Sequence, residues 1–444
     1  MPHRAPYGNP NTRKDRGTNK ASLFHTTMLL ASTGWLTACA SEPPQTAPTP
    51  PPQANTTPAP PPSAEIHHDG FDVCVEKLQQ RARNEGIRDS TILNALGEVQ
   101  FIERVIELDR RQPEYTETFG NYLNSHVTKS RVQQGQKLLD QHQKLFQSLE
   151  SQYGIPGSIL VAFWGLETNF GSYMGSMPII DSLTTLACDG RRSSFFAAEL
   201  LNAMQMMDQG AVTKDQLKGS WAGAMGNMQF MPSTFRSFAM DGDQDGRIDL
   251  WKSVPDAMTS AANYLRKINW QRDARWGDEV TLPSGFDYSQ TSAMQKKSLA
   301  TWRSQQVHFA DGRSLPDSDR QSSILLPSGH TGPAFLVYSN FDVIMKWNRS
   351  EYYAISVGHL SDRIQGKPAL TQTPPALPRL ENAKVKALQA ALNAKGFDAG
   401  VPDGIAGSGT RAAIRAFQKS LGMIADGYPS PDVFRALGVR HNSE

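Results

Sequence analysis

A carboxylate stands at the end of an almost wholly apolar run, "VAFWGLETNFGSY", which covers residues 161–173. The segment 159–166 is apolar on all sides, and this predicts a buried helix that ends near Glu167. Burial beside Trp164 and Phe170 would raise the pKa of that carboxyl, because burial disfavours the charged form. A carboxylic acid that stays protonated near neutral pH can act as a general acid. The alternative is a buried glutamate that pairs with an arginine as a structural strut.

A glycine-rich segment, "KGSWAGAMGNMQFMPSTF" at residues 218–235, combines neutral hydrogen-bonding groups with apolar surfaces. Ser220 and Gln229 supply a hydroxyl and an amide, and Met225 and Phe230 supply apolar surface. These groups suit a sugar with N-acetyl substituents, since it offers amides, hydroxyls and apolar ring faces. The alternative is a glycine-rich loop whose methionines belong to the core.

Aspartates alternate in "DGDQDGRIDLW", residues 241–251, and Gly246 follows them at the sixth position. This is the first half of an EF-hand loop, in which oxygen ligands at alternate positions bind Ca²⁺. The candidate ligands are Asp241, Asp243, Asp245 and the backbone carbonyl of Arg247. Lys252 stands at position twelve, where the usual loop has a bidentate glutamate. The alternative is a solvated acidic turn.

Four segments together resemble the membrane-bound lytic murein transglycosylase B family: "WGLETNFG", "SWAGAMGNMQFMPSTF", "DSLTTLACDGRR" and "NRSEYYAISVGHL". The resemblance covers roughly residues 70–365 and implies a goose-lysozyme-like core. A later segment, "DGIAGSGTRAAIRAFQ", resembles the peptidoglycan-binding domain of helical type.

The resemblance implies a role for Glu167, which matches the single catalytic acid and base of the family. A glycosidase that uses water as nucleophile usually needs two carboxylates. In this family the substrate supplies the nucleophile. Protonated Glu167 would protonate the oxygen between N-acetylmuramic acid and N-acetylglucosamine. It would then deprotonate the muramic C6 hydroxyl, which closes a 1,6-anhydro ring.

Other site residues follow from the same resemblance, and for each of them the alternative is packing or helix capping. The expected cleft residues are Ser220, Met225, Gln229 and Phe230. Arg191 and Arg192 would bind a peptide or lactyl carboxylate, since arginine binds carboxylates bidentately. The residues expected to orient Glu167 or the sugar are Tyr264, Asn348, Tyr353 and, by a looser match, Tyr122.

The resemblance also points to an acid slightly beyond position twelve of the acidic loop. Asp256 is the candidate, and Asp249 is a weaker one. Clustered carboxylates without a cation would repel one another, which favours Ca²⁺. The ion is expected to be structural, because the loop offers no group to the cleft.

Two other functions remain open from the sequence. A water-using muramidase on the same fold would need a second carboxylate, and Asp181 and Asp189 are the nearest in sequence. A non-catalytic peptidoglycan-binding scaffold is the alternative of a different class.

The elements that must position these residues are mainly helices. Helices are predicted over residues 131–154, 156–168, 194–209, 253–267 and 350–363. Strand signals are few and short, for example at 333–339. The predicted fold is mainly α: a lysozyme-like α+β catalytic domain with minor β, and a small three-helix C-terminal domain. The predicted divisions are 1–39, a signal peptide; 40–69, a proline-rich disordered tether; 70–365, the catalytic domain; 366–380, a proline-rich linker; and 381–440, the peptidoglycan-binding domain.

The N-terminal segment resembles the leader of a bacterial lipoprotein, with Cys39 as the lipidated residue. By that resemblance, Ala40 after the cysteine favours the outer membrane, so we expect a periplasmic protein anchored there. Cys74 and Cys188 remain, either as a disulfide or as two separate thiols.

The net charge of +2 over 444 residues gives no sign of a nucleic-acid-binding surface. No apolar stretch reaches the length of a membrane-spanning helix. The two resemblances imply glycan strands and, through the lipid, a membrane as the partners; we expect a monomer.

Overall fold

The computed structural model describes residues 68–110, 117–377 and 379–440. The predicted leader, Cys39 and all but the last two residues of the tether lie outside them. The helices before the first half of the acidic loop are α1 His68–Asn84, α2 Asp89–Leu96, α3 Glu103–Arg110, α4 Phe119–His126, α5 Lys129–Gln141, α6 Gln143–Tyr153, α7 Gly157–Thr168, α8 Ile179–Cys188, α9 Ser193–Asp208 and α10 Pro232–Phe238. Those after it are α11 Val254–Lys267, α12 Leu299–Ser304, α13 Ser339–Trp347, α14 Glu351–Ile364, α15 Asn382–Ala394, α16 Ser408–Ser420 and α17 Pro431–Leu437.

Helix α7 lies at the centre of the main core, and its residues from Gly157 to Gly165 are all buried. Helices α5 and α14 pack against it, and Gly135 of α5 lies close to both Ile364 and Val161. The prediction of a buried helix from the apolar run is therefore confirmed. The protein is mainly helical, as the sequence predicted.

One helix prediction is wrong. The segment 131–154 forms two helices, α5 and α6, because the backbone leaves helical geometry at His142 (φ −107°, ψ 26°). The break allows Leu139 and Phe146 both to approach Gly157. Gly154 ends α6 in the left-handed conformation (φ 76°), which glycine adopts without steric cost.

The β structure is minor and antiparallel. A five-stranded sheet has the order β4 (Lys297–Ser298), β6 (Gln321–Leu325), β7 (Ala334–Val337), β3 (Gly277–Thr281) and β5 (His308–Phe309). Strand β7 confirms the strand predicted at 333–339. A separate pair joins β1 (Met177–Pro178) to β2 (Lys218–Gly219), with Met177 opposite Gly219. This pair ties the start of the glycine-rich segment to the chain just before α8.

A disulfide joins Cys74 of α1 to Cys188 at the end of α8, with the two Cα atoms 5.9 Å apart. The bridge closes a separation of 114 residues. Closing so long a loop restricts the unfolded chain, and native disulfides typically contribute about 2–4 kcal/mol of stability.

The C-terminal helices α15–α17 enclose a small core of their own, as the sequence predicted. That core includes Leu388, Leu392, Ile414, Phe417 and Phe434. The preceding proline-rich segment is bound to the five-stranded sheet, because the backbone N–H groups of Thr371 and Gln372 donate to the carboxylate of Glu279 in β3 at 2.7 and 2.8 Å. Among the described residues, no helix combines the length and apolar character needed to cross a membrane.

Candidate active site

Glu167 lies in the last turn of α7 and is half-buried. The helix ends directly after it, where Asn169 (φ 48°) and Phe170 (φ 61°) are left-handed. Asn227 of the glycine-rich segment holds this end in place. Its Oδ1 accepts from the Trp164 indole N–H at 2.8 Å, and its backbone carbonyl accepts from the Thr168 hydroxyl at 2.9 Å. The apolar helix that ends at Glu167 and the glycine-rich segment therefore meet through the buried Asn227.

The hydroxyl of Tyr353, in the first turn of α14, donates a hydrogen bond to Oε1 of Glu167. Burial, followed by the negative charge of Glu167, raises the pKa of the Tyr353 phenol well above its ordinary value. The phenol therefore stays protonated and remains a donor. Such a donor favours the carboxylate form of its partner.

Aromatic rings pack beside this pair. The Phe163 ring lies 4.4 Å from Trp347 and 6.2 Å from Tyr353. Tyr264 lies 5.3 Å from Trp347 and 5.7 Å from Phe230. Burial raises the pKa of the Tyr264 phenol, which keeps it neutral. Trp347 was not predicted as a site residue, although it immediately precedes the identified segment that begins at Asn348.

The polar side chains of the glycine-rich segment brace their own loop. The Ser220 hydroxyl accepts from the backbone N–H of Ala224 at 3.0 Å. The Gln229 amide donates to the carbonyls of Met174 and Gly226 at 3.1 and 3.0 Å, and its backbone is left-handed (φ 48°). Both side chains keep further lone pairs or donors for a ligand.

Met225 and Phe230 were expected to line the cleft, and the structure corrects this. Met225 is fully buried and Phe230 is 2% exposed. Their backbones pair with each other, with N···O distances of 2.9 and 3.0 Å in the two directions. Both side chains belong to the main hydrophobic core, so they support the loop from beneath.

Arg191 and Arg192 were expected to meet a substrate carboxylate, but both bind Asp109. Asp109 is 1% exposed, and a buried carboxylate needs charged partners to offset its lost hydration. The contact from Arg191 Nη1 is 2.5 Å long. The two arginines are therefore committed to a structural ion pair in this conformation.

Asp181 and Asp189, the candidates for a second catalytic carboxylate, also have structural partners. Asp181 accepts from the backbone N–H of Gln100 at 2.7 Å. Asp189 pairs with Arg110 at 3.2 Å, and burial raises the pKa of its carboxyl. Their bonds tie α8 and the turn after it to the N-terminal helices.

Tyr122 and Asn348 shape the surroundings of Tyr353. Tyr122 stacks on His126 with ring centroids 4.0 Å apart. The side-chain Oδ1 of Asn348 accepts from the backbone N–H of Ser350 at 3.1 Å, and the Ser350 hydroxyl in turn caps α14 by accepting from the Tyr353 N–H at 3.3 Å. Asn348 thereby helps to fix where α14 begins.

The acidic loop brings Asp241, Asp243 and Asp256 together, with one carboxylate oxygen of each within 4.8 Å of the others. Asp256 is buried, and its two oxygens accept from the backbone N–H groups of Gly242 and Asp249, both at 2.7 Å. This carboxyl set fits a cation that prefers oxygen ligands, such as Ca²⁺.

The remaining candidates of the acidic loop lie outside that group of three. The Asp245 carboxylate is exposed and accepts from the backbone N–H of Arg247 at 2.8 Å. The Asp249 carboxylate accepts from the backbone N–H groups of Trp251 and Lys252. Asp249 therefore shapes the turn that leads to α11.

Comparison with known families assigns both parts of the chain. The family model described as Transglycosylase SLT domain matches residues 70–362. The model described as Putative peptidoglycan binding domain matches residues 381–437.

Individual relatives agree with these matches. The membrane-bound lytic murein transglycosylase B of Escherichia coli (strain K12) is 32% identical over 254 residues, which span 55% of this chain and 66% of the relative's own length. The structure of SltB3 from Pseudomonas aeruginosa in complex with NAG-anhNAM-pentapeptide matches with a TM-score of 0.78 and 41% identity, over 83% of this chain and 99% of that one. The Escherichia coli lytic transglycosylase Slt35 in complex with calcium matches with a TM-score of 0.58 and 28% identity, over 66% of this chain and 92% of that one.

Proposed function

This chain belongs to the transglycosylase SLT domain family, and we propose that it cleaves the glycan strands of peptidoglycan as a lytic transglycosylase, with Glu167 as its single acid and base. The observation that carries the assignment of Glu167 is its position at the end of the buried helix α7, where Tyr353 donates a hydrogen bond to it. The SltB3 complex with a NAG-anhNAM-pentapeptide supports an anhydro product.

The reaction needs one proton to leave Glu167 and one to return. The protonated acid gives its proton to the oxygen between N-acetylmuramic acid and N-acetylglucosamine, and the bond from that oxygen to the muramic anomeric carbon breaks. The muramic C6 hydroxyl attacks the same carbon and loses its proton to the Glu167 carboxylate. A 1,6-anhydro ring forms, and no water is consumed.

Tyr353 acts between these two steps. Its neutral phenol stabilises the carboxylate that exists after the leaving oxygen has been protonated, and it keeps that carboxylate in one orientation. The aromatic group of Phe163, Tyr264 and Trp347 packs around this side of the site. Ser220 and Gln229 offer hydrogen bonds to the N-acetyl sugars.

Digestion of purified murein followed by mass analysis of the sugar ends tests the proposal. We expect 1,6-anhydromuramic ends. Reducing ends without anhydro termini would identify a water-using muramidase instead. Binding of murein without release of fragments, by the parent and by Glu167→Gln alike, would identify a scaffold.

We also assign Ca²⁺ to the acidic loop, with Asp241, Asp243 and Asp256 as carboxylate ligands and the Arg247 carbonyl as a further one. The close approach of these three carboxylates and the calcium complex of the relative Slt35 support the assignment. When bound, the ion offsets carboxylate repulsion and so stabilises the loop against α11. Its role is structural.

The remaining parts place the enzyme on its polymer. The C-terminal domain binds peptidoglycan, and its match to the peptidoglycan-binding family supports this. Lipidation of Cys39 anchors the monomeric protein in the outer membrane, facing the periplasm. The membrane-bound relative supports an anchor. Replacement of Cys39 by alanine should release the protein from membrane fractions, and retention of that variant in the membrane would refute lipid anchoring.

A further inference from the structure

The C-terminal domain contacts the first turn of α14 directly. Arg411 of α16 places Nη1 3.4 Å from Oε2 of Glu351, and its Nη2 lies 3.5 Å from the hydroxyl of Tyr352. The Arg411 and Glu351 side chains are only 17% and 27% exposed. Dissolved salt screens a partly buried ion pair less than a surface pair, so the attraction between Arg411 and Glu351 is retained. This attraction constrains the first turn of α14.

The same turn also carries the donor to the general acid. Glu351, Tyr352 and Tyr353 are consecutive residues of an α-helix, so their side chains leave the axis about 100° apart. Glu351 and Tyr352 meet Arg411, whereas Tyr353 donates to Glu167. One helical turn therefore has the C-terminal domain on one side and the candidate catalytic residue on the other.

Aromatic rings pack against one side of this turn, with Tyr352 5.4 Å from Phe119 and Tyr353 6.2 Å from Phe163, whereas the side towards the C-terminal domain borders a cavity. A cavity of about 230 Å³ lies between the two domains, and Glu351, Tyr352, Arg411 and Tyr428 line it. Side chains that border a cavity lack close contacts on that side. The ion pair from Arg411 therefore spans a place where the two surfaces do not interlock.

We propose that Arg411 is a positioning residue for the reaction. Through Glu351 and Tyr352 it fixes the first turn of α14, and so fixes the Tyr353 hydroxyl against Glu167. The C-terminal domain then contributes to the chemical step as well as to retention on the polymer. This inference rests on the proposed role of Glu167.

A second interdomain contact provides a comparison. Asp426 of the C-terminal domain accepts from the backbone N–H of His330 at 2.9 Å, and its Oδ2 lies 2.6 Å from Nδ1 of the His330 ring. His330 belongs to the loop between β6 and β7, so this contact docks the domain without touching α14. The His330→Gln variant keeps the backbone contact and should leave the reaction rate within twofold of the parent.

The experiment measures kcat and KM of the full chain on soluble glycan fragments released from murein. Arg411→Gln and Glu351→Gln should each lower kcat about 5- to 20-fold with KM within twofold, and should move the pH–rate profile in the same direction as Tyr353→Phe. Arg411→Lys should restore most of the rate. Arg435→Gln is the matched control, because the exposed Arg435 pairs only locally with Asp432 on α17 and should leave the rate unchanged.

A combined variant tests the route through Tyr353. In a chain that already carries Tyr353→Phe, adding Arg411→Gln should lower kcat by less than a further twofold. If instead the loss in the double variant equals the product of the two single losses, the proposal is overturned. An unchanged kcat in Glu351→Gln would also overturn it, and that variant decides the matter if Arg411→Gln unfolds the C-terminal domain. Failure of the proposed function is separate, because it would appear as activity in Glu167→Gln.

Discussion

The protein has two carboxylate sites whose surroundings are opposite in kind. Glu167 lies at the end of an apolar helix, where a neutral phenol donates to it and aromatic rings pack nearby. The acidic loop instead brings Asp241, Asp243 and Asp256 within 4.8 Å of one another, among backbone N–H donors. Apolar surroundings let a carboxyl hold and release a proton, whereas clustered carboxylates favour a cation. The neighbours, and not the carboxyl group itself, decide which chemistry follows.

The largest expected effect comes from removing the acid itself. Glu167→Gln should lower the rate of murein cleavage by at least about a thousandfold, because an amide cannot exchange the proton that both steps require. The melting temperature should change little. Rates are measured by release of soluble fragments. Glu150→Gln, an exposed position on α6, is the matched control and should behave like the parent. A Glu167→Gln variant that clears murein at the parental rate would end the assignment.

A smaller loss is expected from removing the donor. Tyr353→Phe should reduce kcat about 10- to 100-fold, in the range of other lost stabilising donors. Its pH–rate profile should move to higher pH, because loss of the phenol disfavours the carboxylate form of Glu167. Kinetics across a pH series measure both effects. An unshifted profile would show that the phenol does not stabilise that carboxylate.

Substitution in the acidic loop should change the thermal stability of the protein instead of the rate of murein cleavage. The Asp256 carboxylate accepts hydrogen bonds from two backbone N–H groups. In Asp256→Asn the side-chain amide N–H faces one of these donors, which should cost about 1–3 kcal/mol of folding stability. The calcium-dependent rise in melting temperature should disappear as well. Thermal unfolding in EGTA and in CaCl₂ measures both. The exposed Asp245→Asn is the control, and it should keep the calcium response. Equal calcium responses in Asp256→Asn and the parent would refute the ligand assignment.

The smallest expected effect is a loss of folding stability at acid pH, which is independent of the pH dependence of catalysis. Burial lowers the pKa of His359 in α14 to about 4, from an ordinary value of 6.5. The unfolded chain therefore takes up a proton at His359 before the folded chain does, and stability falls as the pH drops from 6.5 towards 4. Between pH 7 and pH 5.5 the loss should be about 1 kcal/mol. Denaturant unfolding of the parent and of His359→Gln measures it, and equal pH slopes would contradict it.

Much of the local structure was predictable because neighbouring residues specify it. The apolar run predicted the buried helix α7, and the alternating aspartates predicted the first half of an EF-hand loop, in which Asp241 and Asp243 lie close together. Gly154, the last residue of the predicted span 131–154, caps the end of α6. The helix break at His142 was missed, because helical spacing continues across it, whereas the packing of Leu139 and Phe146 against Gly157 depends on the tertiary structure.

The partners of the charged groups were less predictable. Arg191 and Arg192 offered no local sign that a buried carboxylate some 80 residues earlier, Asp109, would bind both. Asn227 was overlooked inside the glycine-rich segment, although a polar residue amid small and apolar ones is a signal of internal hydrogen bonding. Long-range partners depend on the path of the whole chain.

By itself, the sequence determined the candidate acid, Glu167, the apolar helix that carries it, the family and the pattern of the acidic loop. Periodicity, turn residues and motifs are short-range properties, and they survive without knowledge of the fold. Only the tertiary structure decided that Tyr353, 186 residues away, donates to Glu167, and that Arg411 of the C-terminal domain holds the same helical turn. Those contacts arise from the packing of distant elements, where a hydrogen bond forms only if the geometry of the whole core brings donor and acceptor within about 3 Å.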